Sequence, residues 1–221
     1  MLDLLDQEAR ALGEIELRYA ADKRQPILEG YAARFGALSA DQGGFRERYE
    51  PGCFTEALAR LERRTLDDDC LCLFNHDKNQ VLGRHSAGTL ELSQDNVGLR
   101  VRAYPDIEQT WVRDLLRKVE RRDVRGQSLA MRVFKVGGAT WEPAGADGLP
   151  IRSVKRVGQL VDVGPVSDPA YATSTDIALR GLREWNEEQA RLAEEAAKIA
   201  EANAARRERW KKLLDKAGLA G

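Results

Sequence analysis

In the run Asp123-Val124-Arg125-Gly126-Gln127-Ser128-Leu129-Ala130-Met131, a small hydroxyl sits between a glycine and an alternating stretch that reads as a strand. Ser128 can attack an acyl carbon only if a base removes its proton, and that base needs a third group to orient it. The chain has two histidines, His76 and His85, so a histidine-assisted serine mechanism must use one of them. His76 stands at the exit of the short apolar run Cys70-Leu71-Cys72-Leu73-Phe74, which reads as a buried strand. Asp77 is adjacent to it, but neighbours on an extended segment face opposite sides. Asp162, within Leu160-Val161-Asp162-Val163, is the better third group, because an acid in so apolar a strand is costly to bury unless paired. An outward-facing carboxylate is the alternative.

Each of these residues also has a plainer reading. A Gly-x-Ser triplet is common near strand starts, and a single histidine at a strand end is more often a hydrogen-bonded structural residue. The serine run lacks the second glycine of the Gly-x-Ser-x-Gly elbow, so an α/β-hydrolase is not supported. Cys70 and Cys72 share a strand face, yet their spacing does not make a zinc site with two histidines and the distant Cys53. An apolar strand would raise a thiol's pKa, so the cysteines read as buried free thiols. No metal or other cofactor is expected.

Composition frames this chemistry. A chain of 221 residues, 43% hydrophobic and 32% charged, can bury a real core and reads as one domain with an appendage. With 35 basic and 36 acidic residues it carries no global basic field, so nucleic acid is not an expected partner. Three cysteines and the lack of an apolar leader point to a reducing, cytoplasmic compartment. No stretch approaches the roughly 18 apolar residues of a membrane span, so no membrane partner is expected.

The elements that must position the site follow from periodicity. Met1 to Gly13 reads as a loosely helical lead-in, and Glu14 to Ala20 and Ile27 to Phe35 as paired strands. Cys53, Phe54, Ala57, Leu58 and Leu61 recur at helical spacing after a Pro51-Gly52 turn. Leu90 to Ala103 reads as a hairpin turning at Gln94 to Gly98, and Ile107 to Glu120 as a helix that delivers the chain to Ser128. Gly137 to Gly148 reads as a long mobile loop, and Ile151 to Val166 as a further strand region. Six or seven short strands with few helices predict a mainly β, α+β fold: a closed antiparallel β-barrel with helices outside. Gly181 to Ala217, rich in Ala, Glu, Arg and Lys, predicts a long C-terminal helix. It is either a solvated helix with one docking stripe or a partner-binding arm. The division expected is 1–180 for the catalytic domain and 181–221 for the arm.

Six motifs occur in a telling order: Leu28-Glu29-Gly30-Tyr31-Ala32-Ala33-Arg34-Phe35; Glu50-Pro51-Gly52-Cys53-Phe54; Leu73-Phe74-Asn75-His76-Asp77 with Val81-Leu82-Gly83-Arg84; Ser86-Ala87-Gly88-Thr89-Leu90; Gly126-Gln127-Ser128; and Val163-Gly164-Pro165-Val166-Ser167-Asp168-Pro169-Ala170-Tyr171. From about Ile27 to Arg180 the chain resembles the prohead (capsid maturation) proteases of tailed bacteriophages, a family related to the herpesvirus assemblins. The resemblance implies a serine endopeptidase on an assemblin-like β-barrel surrounded by helices, with Ser128 as nucleophile and His76 as general base. Asp162 stands where the family usually has a glutamate, and His85 ranks below it as the third member. For the oxyanion hole the reading names the backbone N–H of Leu129, supported by the Arg152 or Arg156 side chain. The implied substrates are scaffold protein or the scaffolding segment of the major capsid protein, with self-cleavage in joints such as Gly137 to Gly148 or Thr173 to Gly181. The implied location is the immature capsid in the host cytoplasm, with self-association left open. The non-enzymatic alternative is a protease-like capsid assembly or scaffolding component whose terminal helix binds other shell proteins.

Overall fold

The computed structural model describes residues 8–19, 25–63, 66–143, 148–167 and 176–216, with 8–14, 176–183, 210–211 and 213–216 described by backbone alone. Its centre is the strand that carries Ser128, β8 (Gly126–Val133), which is flanked on both sides. On one side β1 (Glu8–Tyr19) runs antiparallel to it, opposing Ala11 to Ser128 and Glu14 to Gly126. The expected helical lead-in is therefore a strand from Glu8 onward, and Met1 to Gln7 lie outside the described residues. A helix this short is marginal without docking, whereas pairing with β8 satisfies a full edge of backbone donors and acceptors. The register shifts between Ala11 and Gly13, a bulge at the glycine.

On the other side of β8 lies β11 (Val157–Val166), opposing Gly164 to Ser128 and Asp162 to Ala130. β11 also pairs in parallel with β4 (Leu71–Leu73), which pairs antiparallel with β5 (Val81–Arg84). Beyond β1 the sheet continues through β2 (Pro26–Arg34), β7 (Gly98–Ala103) and β6 (Leu90–Gln94). The β6–β7 hairpin turns where its sequence predicts, with the Asp95 carboxylate accepting from the backbone N–H of Val97 and Gly98. Leu129, Met131, Val133, Leu160 and Val163 are fully buried, in one core with Val112, Leu115, Leu116 and Val119 of α2 (Thr110–Glu120). A shorter helix, α1 (Thr55–Leu61), packs against β11.

The eight strands do not close into the expected barrel. β5 and β6 are its two edges, and they meet at the turn between them, where the Thr89 N–H donates to the Arg84 carbonyl at 3.1 Å, without a ladder of paired residues. β4, β5 and β6 have three, four and five residues. Such short strands run out before the continuous staggered ladder that closure requires. Nor is the pairing wholly antiparallel. A second, three-stranded sheet orders β3 (Arg46–Tyr49), β10 (Ile151–Val154) and β9 (Ala139–Glu142), with β3 and β10 parallel. The predicted loop from Gly137 to Gly148 thus contains a strand, with 144–147 outside the described residues. The strand region 151–166 is two strands, broken where the N–H groups of Lys155 and Arg156 both donate to the Gly138 carbonyl.

The chain divides into two compact units, 1–179 and 180–221. α3 (Asp176–Lys216) supplies the second. Among the described residues no helix is long and apolar enough to cross a membrane.

Candidate active site

Ser128 is held in the middle of the sheet by ladders on both sides, and is 2% exposed. Directly opposed residues of an antiparallel pair share a face, so Ser128 and Ala130 of β8 face the same way as Gly164 and Asp162 of β11. β4 lies on the far side of β11 and ends at Leu73, so the chain leaving it arrives over this face carrying His76. The imidazole lies between the other two groups: Nε2 is 2.7 Å from Ser128 Oγ and Nδ1 is 2.5 Å from Asp162 Oδ1. A proton on Nδ1, donated to the buried Asp162 carboxylate, leaves the Nε2 lone pair to accept the serine hydroxyl proton. The His76 side chain is 30% exposed against 5% for Asp162, so the site opens to solvent on the imidazole side.

The delivery of His76 depends on a reversal that sequence reasoning did not single out. Asn75 (φ 53°) and His76 (φ 60°) are both left-handed, an uncommon conformation for residues with side chains. Asn75 ties this reversal to the end of β11: its N–H donates to the Pro165 carbonyl at 3.0 Å, its Oδ1 accepts the Ser167 N–H at 2.9 Å, and its Nδ2 donates to Ser167 Oγ at 3.3 Å. Asp77 bonds within its own loop, accepting from the Asn79 N–H at 2.9 Å, rather than orienting the imidazole. Asparagine tolerates the left-handed region better than alanine, and its amide clamps the two strand exits. Asn75→Ala is expected to slow cleavage of co-expressed capsid protein about tenfold and to lower the melting temperature by only about 2–6 °C, read from gel time courses and thermal melts.

A second missed residue is Gly164, opposite Ser128. A β-carbon there would lie 1.9 Å from the Leu73 carbonyl oxygen, so only glycine lets β4 approach β11 so closely. The available signal was a glycine inside an otherwise apolar strand, which often marks close backbone approach.

The other candidates lie elsewhere. Leu129 is regularly paired to Arg10 on one side and Val163 on the other. Its N–H is therefore directed into the sheet ladders rather than at an oxyanion beside Ser128. Arg152 is on β10 in the three-stranded sheet, where it donates to Glu47 at 2.6 Å; the two side chains are 3% and 0% exposed. Its charge is committed to a buried carboxylate, so it is not the predicted oxyanion support. Arg156 reaches Glu56 at 2.7 Å and lies over the Phe134 ring. His85 sits in the β5–β6 turn, with Nδ1 3.2 Å from the Leu90 carbonyl. Arg152→Met strands the Glu47 charge and is expected to cost about 3–5 kcal/mol of stability, measurable by urea unfolding of a Ser128→Ala chain.

Cys53, Cys70 and Cys72 are buried free thiols. Burial, reinforced by the Asp162 charge, pushes the Cys72 thiol up to about 12, and Cys70 is also raised well above its ordinary value. Neither supplies thiolate near neutral pH. Cys72→Ala is therefore expected to retain processing within about threefold, measured with the same co-expressed capsid protein. Among the described residues no group of three or more His, Cys, Asp or Glu side chains could hold a metal ion.

An open α+β sheet that brings a serine, a histidine and a carboxylate into one hydrogen-bonded line is the arrangement of a serine hydrolase. Over residues 13–188 the chain matches the model of the peptidase S78 family, the caudovirus prohead serine proteases, and it belongs to that family. It is a serine protease of bacteriophage capsid maturation. No curated protein and no solved structure matches it.

Proposed function

We propose that Ser128, His76 and Asp162 are the catalytic triad of an endopeptidase that cleaves scaffold protein, or the scaffolding segment of the major capsid protein, inside the immature capsid in the host cytoplasm. The observation that carries this reading is the single imidazole bridging Ser128 Oγ and Asp162 Oδ1 at 2.7 and 2.5 Å. Ser128 Oγ attacks the scissile carbonyl as His76 Nε2 takes its proton. Asp162 stabilises the imidazolium, which then protonates the departing amine. Water then attacks the ester carbonyl as it gives a proton to His76, and His76 returns that proton to Ser128 Oγ as the ester C–O bond breaks and the acyl group leaves as a carboxylic acid.

The catalytic domain spans 1–180, and 181–221 is a docking arm. The protease also cleaves itself. Of the joints the sequence offers, Ala139–Glu142 is a paired strand, while 144–147 and 173–175 lie outside the described residues. Mapping new termini by mass spectrometry, after co-expression with capsid and scaffold proteins, tests the assignment. Cuts in the scaffolding segment and in the protease are expected from the wild-type chain. Intact partners, or intact protease after assembly, would remove the corresponding half of the proposal.

A further inference from the structure

α3 presents an apolar stripe with a regular alternation of three and four residues. Leu192 and Ile199 lie seven apart and are 45% and 57% exposed, so they share one uncovered helix face. Ala196 falls between them, and in the same register the sequence places Trp185, Gln189, Asn203, Arg206 and Trp210. This is a heptad seam with polar interruptions. Two exposed intrahelical pairs line the helix: Arg191 donates to Glu188, beside the seam, at 2.6 Å, and Lys198 donates to Glu194, away from it, at 2.6 Å.

Charge selects the occupant of the seam. Leu182 to Glu201 holds six acids and three bases, a net of −3, and Ala202 to Ala217 holds six bases and two acids, a net of +4. Two copies aligned in parallel would set −3 beside −3 and +4 beside +4, and would face Arg206 with Arg206 in the seam. Reversing one copy sets each acidic half against a basic half. In the seam it sets Ala196 beside Ile199 and Gln189 beside Arg206, with Leu192 beside Asn203 as the one mixed layer of the three. In that register Glu188 flanks the seam opposite Arg209, a pairing of opposite charges that the parallel arrangement lacks.

We propose that α3 is a self-association arm that pairs antiparallel with α3 of a second copy of this chain, in a register centred between Ala197 and Lys198. The polar seam positions select orientation and register at a cost in affinity, and the pairing weakens with salt because flanking charges contribute. This inference does not rest on the serine chemistry.

The test uses the full chain carrying Ser128→Ala, so that its length is preserved whatever the protease activity. Sedimentation equilibrium should show a concentration-dependent dimer. Ile199→Lys, on an exposed position, should raise the dissociation constant about tenfold or more. Glu188→Arg and Arg209→Glu should each weaken the dimer, and the double swap should restore it. A spin label at Glu187→Cys should report a separation to its twin of about 35 Å, against about 20 Å for a parallel pair. A chain that stays monomeric at about 100 μM, a dimer indifferent to Ile199→Lys, a swap that fails to compensate, or the shorter spin separation would overturn the proposal.

Discussion

Ser128→Ala is expected to lower the rate of capsid-protein processing by about 10⁴-fold or more. In the proposed mechanism Ser128 Oγ forms the acyl intermediate, and the nearby Cys72 thiol does not replace it, since burial keeps that thiol protonated. His76→Ala should cost a similar factor, because an unassisted hydroxyl is a weak nucleophile. Asp162→Asn should cost about 10⁴-fold by a different route: an amide that donates to Nδ1 forces the proton onto Nε2, the wrong nitrogen for accepting from serine. Because the three act as a unit, the Ser128→Ala/His76→Ala double variant should be no slower than either single variant. Rates of capsid-protein disappearance at equal protease levels check all four. Additive losses would mean that the three residues do not work as one device.

Outside the proposed triad, Gly164→Ala is expected to damage stability and activity together. The added β-carbon would meet three backbone atoms of Leu73, the oxygen at 1.9 Å and the carbon and nitrogen at 2.8 Å. Backbone atoms cannot rotate away as a side-chain tip can, so β4 must shift. The strand backbone at Gly164 also has φ 156°, which alanine adopts only with strain. The expected cost is about 3 kcal/mol or more, seen as a melting temperature about 10 °C lower in a Ser128→Ala background. Activity should fall further than the unfolded fraction explains, because His76 follows three residues after Leu73 and moves with β4. A Gly164→Ala chain that melts and processes normally would contradict the close β4–β11 approach.

The parts of this structure legible in the sequence are those whose signal is local. The buried stripe of α2 and the Asp95 turn each announce themselves within a dozen residues. Asp162 is legible because an acid flanked by apolar strand residues needs a partner, and His76 because only two histidines are available; the structure brings both to Ser128. What was not legible depends on distant partners. Glu8 to Gly13 has no strand signal of its own and becomes a strand because β8 offers it an edge. Ala139–Glu142, set among Gly and Pro residues, is a strand because β10 pairs with it. Arg152 could be aimed at an oxyanion only while its partner Glu47, 105 positions away, was unknown. The open sheet follows from the shortness of β4, β5 and β6, which alternation patterns fix poorly. Asn75 stood beside His76 throughout, yet its role emerges only once Ser167 is seen across the gap.

Covalent labelling of the wild-type chain with a fluorophosphonate, followed by mass-spectrometric mapping of the adduct, tests whether Ser128 is the nucleophile. Attack by an activated serine forms a phosphorus–oxygen bond and expels fluoride, so the label marks the nucleophile itself. A single adduct at Ser128, formed at a rate that collapses in His76→Ala and Asp162→Asn, is the predicted result. An adduct on any other residue, or labelling of Ser128 that persists undiminished without His76, would contradict it.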